Sequence, residues 1–166
     1  MMKKTSPVEA LLWSIALPGF GQLLNKQYLK GITLIILEFV INLGSNLNTI
    51  IMDSFQGDTL AAVRHTNYQW LLFYPCVYMF GIWDGFKDAG GGRSSPYSTF
   101  PFVFCAFFGT TGMFYSDRFR FMDILPGPVW LPMAAAFLGV GFGFLLKAAL
   151  DRRLIPRPDT AERPPS

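Results

Sequence analysis

Four long apolar runs, at residues 31–52, 69–83, 100–115 and 129–146, constrain this chain more than any other feature. A helix rises 1.5 Å per residue and a hydrocarbon core is about 30 Å thick, so roughly 20 apolar residues cross it. Residues 31–52 and 129–150 meet that length outright. The two middle runs are shorter, but aromatic residues flank them: Tyr68, Trp70 and Trp83 around one, Phe100 and Tyr115 around the other. Rings at such positions suit membrane interfaces. Hydrophobic residues make up 51% of the 166 and charged residues only 15%, whereas soluble domains carry about 25% charged residues. The expectation is an all-α fold, a polytopic transmembrane helical bundle with four full spans. A soluble α protein with two buried helices is the alternative that this composition disfavours.

A fifth apolar stretch, 8–24, is interrupted. "SPVE" at 6–9 reads as a capping box with Ser6 at the N-cap, Pro7 at the first helical position and Glu9 reaching back. Pro18 disfavours helix at Leu17, and Gly19 and Gly21 permit a turn. Only fifteen residues, 10–24, separate Glu9 from Asn25, about 22 Å of helix. The stretch is therefore a re-entrant helix that enters and leaves by one face, or a short, kinked span. Basic residues favour the first. A full crossing divides the Lys and Arg positions into 3, 4, 64, 118 and 120 against the other nine. A re-entrant segment moves Lys3 and Lys4 to the majority side and leaves eleven against three, the sharper cytoplasmic bias. Both ends of the chain are then expected in the cytoplasm. A signal peptide would need a longer apolar region than Ala10 to Trp13, because Glu9 interrupts it.

The run Pro18-Gly19-Phe20-Gly21-Gln22, followed by Asn25-Lys26-Gln27-Tyr28 and Lys30-Gly31, resembles a pattern of small uncharacterised bacterial multi-pass membrane proteins. These are similar in turn to the two-transmembrane-helix hairpin domain family. "WDGFKDA" at 83–89 is a second echo, since such proteins leave the membrane through an Asp-x-aromatic-x-x-Ala stretch. The likeness covers about residues 6–89, departs from the pattern at Leu24 and has no counterpart in 100–166. It implies a bacterial plasma-membrane location and a hairpin architecture built on Pro18, Gly19, Gly21, Gln22, Lys30 and Gly31, and it brings no activity. On physical grounds alone, the glycines supply turns or close approach, Lys26 and Lys30 hold headgroups, and Gln22 caps freed carbonyls.

Glu38 is the ionisable residue deepest in a predicted span, where exposure to lipid is costly. Asn42, Ser45, Asn46, Thr49 and Asp53 follow at helical spacings and form one polar stripe. Interhelical hydrogen bonding, with Tyr74, Tyr78, Thr110 or Thr111 as partners, is one use for it. A solute, proton or cation path is the other, with Gln22 and Asn25 joining Glu38 in a polar pocket. Pro75 is expected to kink the span at 69–83. Thr99 is a candidate cap for the helix beginning near Pro101. Ala135, Gly139 and Gly143 repeat every four residues, a groove in which another helix can pack and through which other membrane proteins or a second copy of the chain are candidate partners, beside the lipid bilayer itself.

The organisation expected is a hairpin helix plus two spans over 1–89, a flexible loop at 90–99, a two-span hairpin at 100–150 and a disordered cytoplasmic tail at 151–166, with four prolines from Pro156 onward. The net charge of +3 lies in short segments between apolar runs and suits anionic lipid better than nucleic acid. Cys76 and Cys105 read as free thiols inside spans, and His65 is the sole histidine, so no metal or other cofactor is expected. No nucleophile set or phosphate loop is legible, and Asp53, Asp84 and Asp123 fall at membrane edges, so no enzyme is expected. Two functions remain: an interaction, scaffold or regulatory module, or a small-solute or ion transport component using Glu38, Asn42 and Asn46.

Overall fold

The computed structural model describes residues 5–154. Among them every regular element is a helix, apart from one isolated bridge between Phe121 and Ile124. α1 (Pro7–Ala16) starts where the sequence marks it, with the Ser6 side chain accepting from the Glu9 N–H at 3.1 Å and Pro7 in the first turn. It ends because Leu17, preceding Pro18, is extended at φ −155° and ψ 119°. Gly19, at φ +106°, reverses the chain into α2 (Phe20–Leu24). The Thr5 hydroxyl then donates to the Leu24 carbonyl at 3.1 Å, so the hairpin's entry and exit meet.

α3 (Tyr28–Ser45) is 18 residues long and stops at Asn46, which is left-handed at φ +62°. α4 (Leu47–Phe55) follows. The run 31–52 is thus two helices, because asparagine adopts the left-handed cap conformation that ends a helix. The stripe drawn through Glu38, Asn42, Asn46, Thr49 and Asp53 loses its single face at that point. α5 (Thr59–His65) is capped by the Asp58 carboxylate, which accepts from the Ala61 N–H at 2.8 Å. α6 (Tyr68–Leu71) and α7 (Tyr74–Asp88) share the next run. Pro75 does not kink a continuous span here; it sits in the first turn of α7, where its missing N–H costs nothing. α8 (Phe100–Tyr115) matches its predicted run, and α9 (Gly127–Leu154) extends well beyond its own. Residues 151–154 belong to α9, and the remainder of the expected tail lies outside the described residues.

By length and apolarity, two helices among the described residues suffice to cross a membrane, α3 with 18 residues and α9 with 28. α8 falls short in length and the run 69–83 is divided between α6 and α7, whereas the break at Asn46 still leaves α3 long enough.

α7 runs through the middle, touching α1, α2 and α3 on one side and α8 on the other, while α9 lies along α8. Leu47, Ile50, Ala62, Leu71, Met113 and Val129 form the buried apolar cluster toward one end. At that end Tyr68 and Ser116 share a hydrogen bond of 3.1 Å, and the Trp130 indole donates to the Ser54 carbonyl at 3.1 Å. The other end gathers the start of α3, the end of α7, the segment 89–99 and the end of α9. Segment 90–99, expected as a flexible connection, is pinned: Ser95 is 4% exposed and donates to Asp151 at 2.6 Å, and the Tyr97 N–H donates back to Ser95 at 3.0 Å. Thr99 makes no side-chain cap of α8 and instead accepts from the Trp83 indole at 3.1 Å.

The groove of Ala135, Gly139 and Gly143 is occupied by α8 of the same chain. A Cβ on Gly139 would collide with the Phe104 carbonyl, and one on Gly143 would lie 2.6 Å from the Pro101 Cα. The small residues thus bring α9 against α8, as the close approach of backbones in GxxxG-type packing requires.

Candidate functional site

Gly81, Asp84, Gly85 and Asp88 recur at three- and four-residue intervals and therefore share one face of α7. The hairpin packs on that face. Gly81 is the contact for Pro18, since a Cβ there would stand 3.1 Å from the Pro18 Cβ. Beside it, the buried Gln22 amide donates to the Gly81 carbonyl at 2.8 Å and to Asp84 Oδ2 at 3.0 Å. One turn further, the Asn25 amide donates to the Gly85 carbonyl at 2.9 Å. Lys30, from the first turn of α3, bridges Asp84 Oδ1 at 3.0 Å and Asp88 Oδ2 at 2.9 Å. The Tyr78 hydroxyl also donates to the Ile15 carbonyl of α1.

The chemistry is self-consistent. Asp84 and Asp88 lie at the C-terminal end of α7, where the helix dipole disfavours negative charge. Lys30 offsets this, at a depth where its own side chain keeps 48% exposure while Asp84 keeps 12%. Burial of a carboxylate requires such a set of partners. The turn residues permit it sterically: a Cβ on Gly19 would be 2.5 Å from the Gly31 carbonyl, and one on Gly21 would strike the Ser14 hydroxyl. Gly19, Gly21 and Gly31 are therefore points of backbone contact between α1, the turn and α3. Two buried polar atoms beside Gly85, Ser14 Oγ and Gln22 Oε1, have no hydrogen-bond partner among the described residues.

Glu38 belongs to a second, separate group. Tyr74 is the hydrogen-bonding neighbour of its carboxyl, Tyr78 stacks on Tyr74 at 5.4 Å between ring centroids, and Glu38 Oε2 is buried without a partner. Asn42 donates to Asn48 at 3.2 Å, and Asn46 donates to the His65 carbonyl at 3.0 Å. The pocket imagined from Gln22, Asn25 and Glu38 together does not form, because Gln22 and Asn25 are turned toward the far end of α7. Asp53 pairs with His65 at 2.7 Å at the opposite end of the molecule. There too Arg118 hydrogen-bonds Asp117 and holds its exposed carboxyl below the usual carboxylate range.

Sequence reasoning brought Gln22, Asn25 and Lys30 into view but missed their partners. It left Asp84 at a membrane edge, whereas the structure buries it between helices. The available signal was the 81, 84, 85, 88 spacing in a segment that also carries two acids one turn apart, with one basic residue in the opening turn of α3. No protein-family model matches the chain, and no curated protein or solved structure matches it either.

Proposed function

We propose that this chain is a multi-pass module of the bacterial plasma membrane that serves interaction, scaffolding or regulation of another membrane complex, with four crossings, a re-entrant N-terminal hairpin and both ends in the cytoplasm. The observation that carries this reading is how the polar side chains are used. Gln22, Asn25, Lys30, Asp84 and Asp88 hydrogen-bond one another or backbone carbonyls, and so fix a hairpin to α7 rather than line a path. Large apolar side chains point outward instead: Leu29 is 83% exposed, Leu43 76% and Leu145 73%. That is the reverse of a soluble surface patch pattern and is stable in lipid.

Charge supports the sidedness. The end containing Asp88 and Asp151 carries Lys26, Lys30, Lys87, Arg93, Lys147, Arg152 and Arg153, and the other end carries Arg64, Arg118 and Arg120. The cytoplasmic face is the richer one. Depth supports the re-entrant form: Pro18, at the hairpin tip, meets α7 at Gly81, seven residues before Asp88, about 10 Å along a helix. Residues 68–88, from the start of α6 to the end of α7, span about 31 Å at helical rise, enough to cross. The resemblance over residues 6–89 to bacterial hairpin membrane proteins fits as well, since its motif residues are those of the clamp that Gln22, Asn25 and Lys30 form between the hairpin and α7.

Sidedness is tested with reporter fusions after Lys26, Asn67, Arg93 and Ser116. Cytoplasmic signals at Lys26 and Arg93 and exterior signals at Asn67 and Ser116 are expected; an exterior signal at Lys26 overturns the re-entrant hairpin. A transport role is the second reading, favoured by the half-buried Glu38 with its unpartnered Oε2 beside Tyr74 and Tyr78. Glu38→Gln in proteoliposomes decides between them. The module reading expects ion- and pH-dependent flux to be indistinguishable from empty vesicles for both proteins, and flux that Glu38→Gln abolishes establishes the carrier.

A further inference from the structure

A polar cavity of about 680 Å³ lies at the end of α7, lined by Trp83, Lys87, Gly92, Arg93 and Ser98 among others. An apolar groove of about 390 Å³ runs between α7 and α8 along Cys76, Phe80, Val103 and Phe107, and it also ends on Trp83. One ring thus joins a cationic chamber to a greasy channel. Its orientation is fixed from both sides, by the indole donating to Thr99 at 3.1 Å and by the Lys87 ammonium lying 4.5 Å over the ring.

We propose that this composite site holds an anionic phospholipid of the cytoplasmic leaflet, its phosphate between Lys87 and Arg93 and one acyl chain along the α7–α8 groove. This rests on the membrane reading given above. Charge complementarity selects the occupant. Among the described residues, carboxylate partners go to Lys30, Lys147, Arg118 and His65, and none goes to Lys87 or Arg93. Asp88, the one acid lining the chamber, shares the Lys30 ammonium with Asp84 and sets a single negative charge against the two positive charges of Lys87 and Arg93. The chamber is therefore net cationic, and the position is the level at which headgroups meet a multi-pass protein. A rival groove between α3 and α7 ends on Lys30 and Asp84, but the Lys30 ammonium is already shared between the carboxylates of Asp84 and Asp88, so it offers an anion nothing.

Brominated lipids test the proposal through Trp83. The full chain and its Trp83→Phe variant are reconstituted in phosphatidylcholine vesicles doped with phosphatidylglycerol or phosphatidylcholine brominated on the acyl chain, and the difference in quenching between the two proteins isolates Trp83. Brominated phosphatidylglycerol is expected to quench Trp83 at lower mole fraction than the neutral lipid. Lys87→Gln and Arg93→Gln are each expected to weaken that preference about fivefold, the equivalent of the ~1 kcal/mol that one basic residue contributes at an anionic surface. Equal quenching by the two lipids, or a preference unchanged in the double variant, overturns the site. Displacement of the preference by inorganic phosphate alone overturns it too, since the chamber would then bind a free anion. Absence of quenching by either lipid, with protein recovered in the aqueous phase, refutes the membrane reading itself.

Discussion

The two halves of the molecule join their helices by opposite means. From α1 to α7 the contacts are directional: Gln22, Asn25 and Lys30 reach across to α7 and meet carboxylates or carbonyls at 2.8 to 3.0 Å. Between α8 and α9 they are steric. Gly112 takes the space beside Ala135, Gly139 sits on the Phe104 carbonyl, and Phe104 meets Phe108 and Phe142 edge to face in a cluster of three rings with centroids 4.8 to 6.5 Å apart. Lipid tails solvate leucine as well as a neighbouring helix does, so association in a bilayer rests on close packing or hydrogen bonding. Between α8 and α9 this chain uses close packing alone, and from α1 to α7 it adds hydrogen bonds to close glycine contacts. The half with an interrupted backbone uses hydrogen bonds, because a helix broken at Leu17 to Gly19 cannot present a long smooth ridge.

The contrast predicts how each half fails, read as shifts in the unfolding free energy of the purified protein during detergent titration in mixed micelles. Asp84→Leu should cost most, about 3 kcal/mol, since it removes an acceptor from the buried Gln22 amide and one of the two carboxylates that hold Lys30. Asp84→Asn, which keeps an acceptor, should cost less, and equal losses would mean that Asp84 acts by volume alone. Gly139→Ala should follow at about 1 to 3 kcal/mol, because its methyl meets a backbone carbonyl that cannot rotate away. Gly141→Ala, two residues on with nothing within 4 Å, is the matched control and should be neutral or slightly stabilising. If both glycine variants behave alike, the steric account of α8 and α9 is wrong. Gln22→Leu should be mildest, about 1 kcal/mol. Its effect should shrink in an Asp84→Leu background, because the two share one hydrogen bond.

Local signals were legible where one residue decides one backbone angle. Ser6 with Pro7, and Leu17 before Pro18, each announced a helix boundary that the structure contains. Signals failed where hydropathy ran on through a break. Asn46 lies inside an apolar run and nothing nearby marks it as left-handed, yet it divides α3 from α4 and with them the polar stripe. Pro75 was visible, but whether a proline bends a helix or begins one depends on the residues before it finding other partners. The clamp was half legible. Its hairpin side is a compact motif over residues 18–31, whereas its α7 side lies 54 to 62 residues away in sequence, as the Lys30 and Gln22 bonds to Asp84 record. Spacing along one segment carries no information about which distant helix will face it.

The bond between Thr5 and Leu24 has a consequence for biogenesis. On the re-entrant reading proposed above, a loop whose two mouths coincide adds nothing to the odd-or-even arithmetic of orientation, so the helices after it should keep the same direction whether it is present or deleted. Residues 5–24 would then be a plug fitted against an already oriented bundle, not the element that orients it.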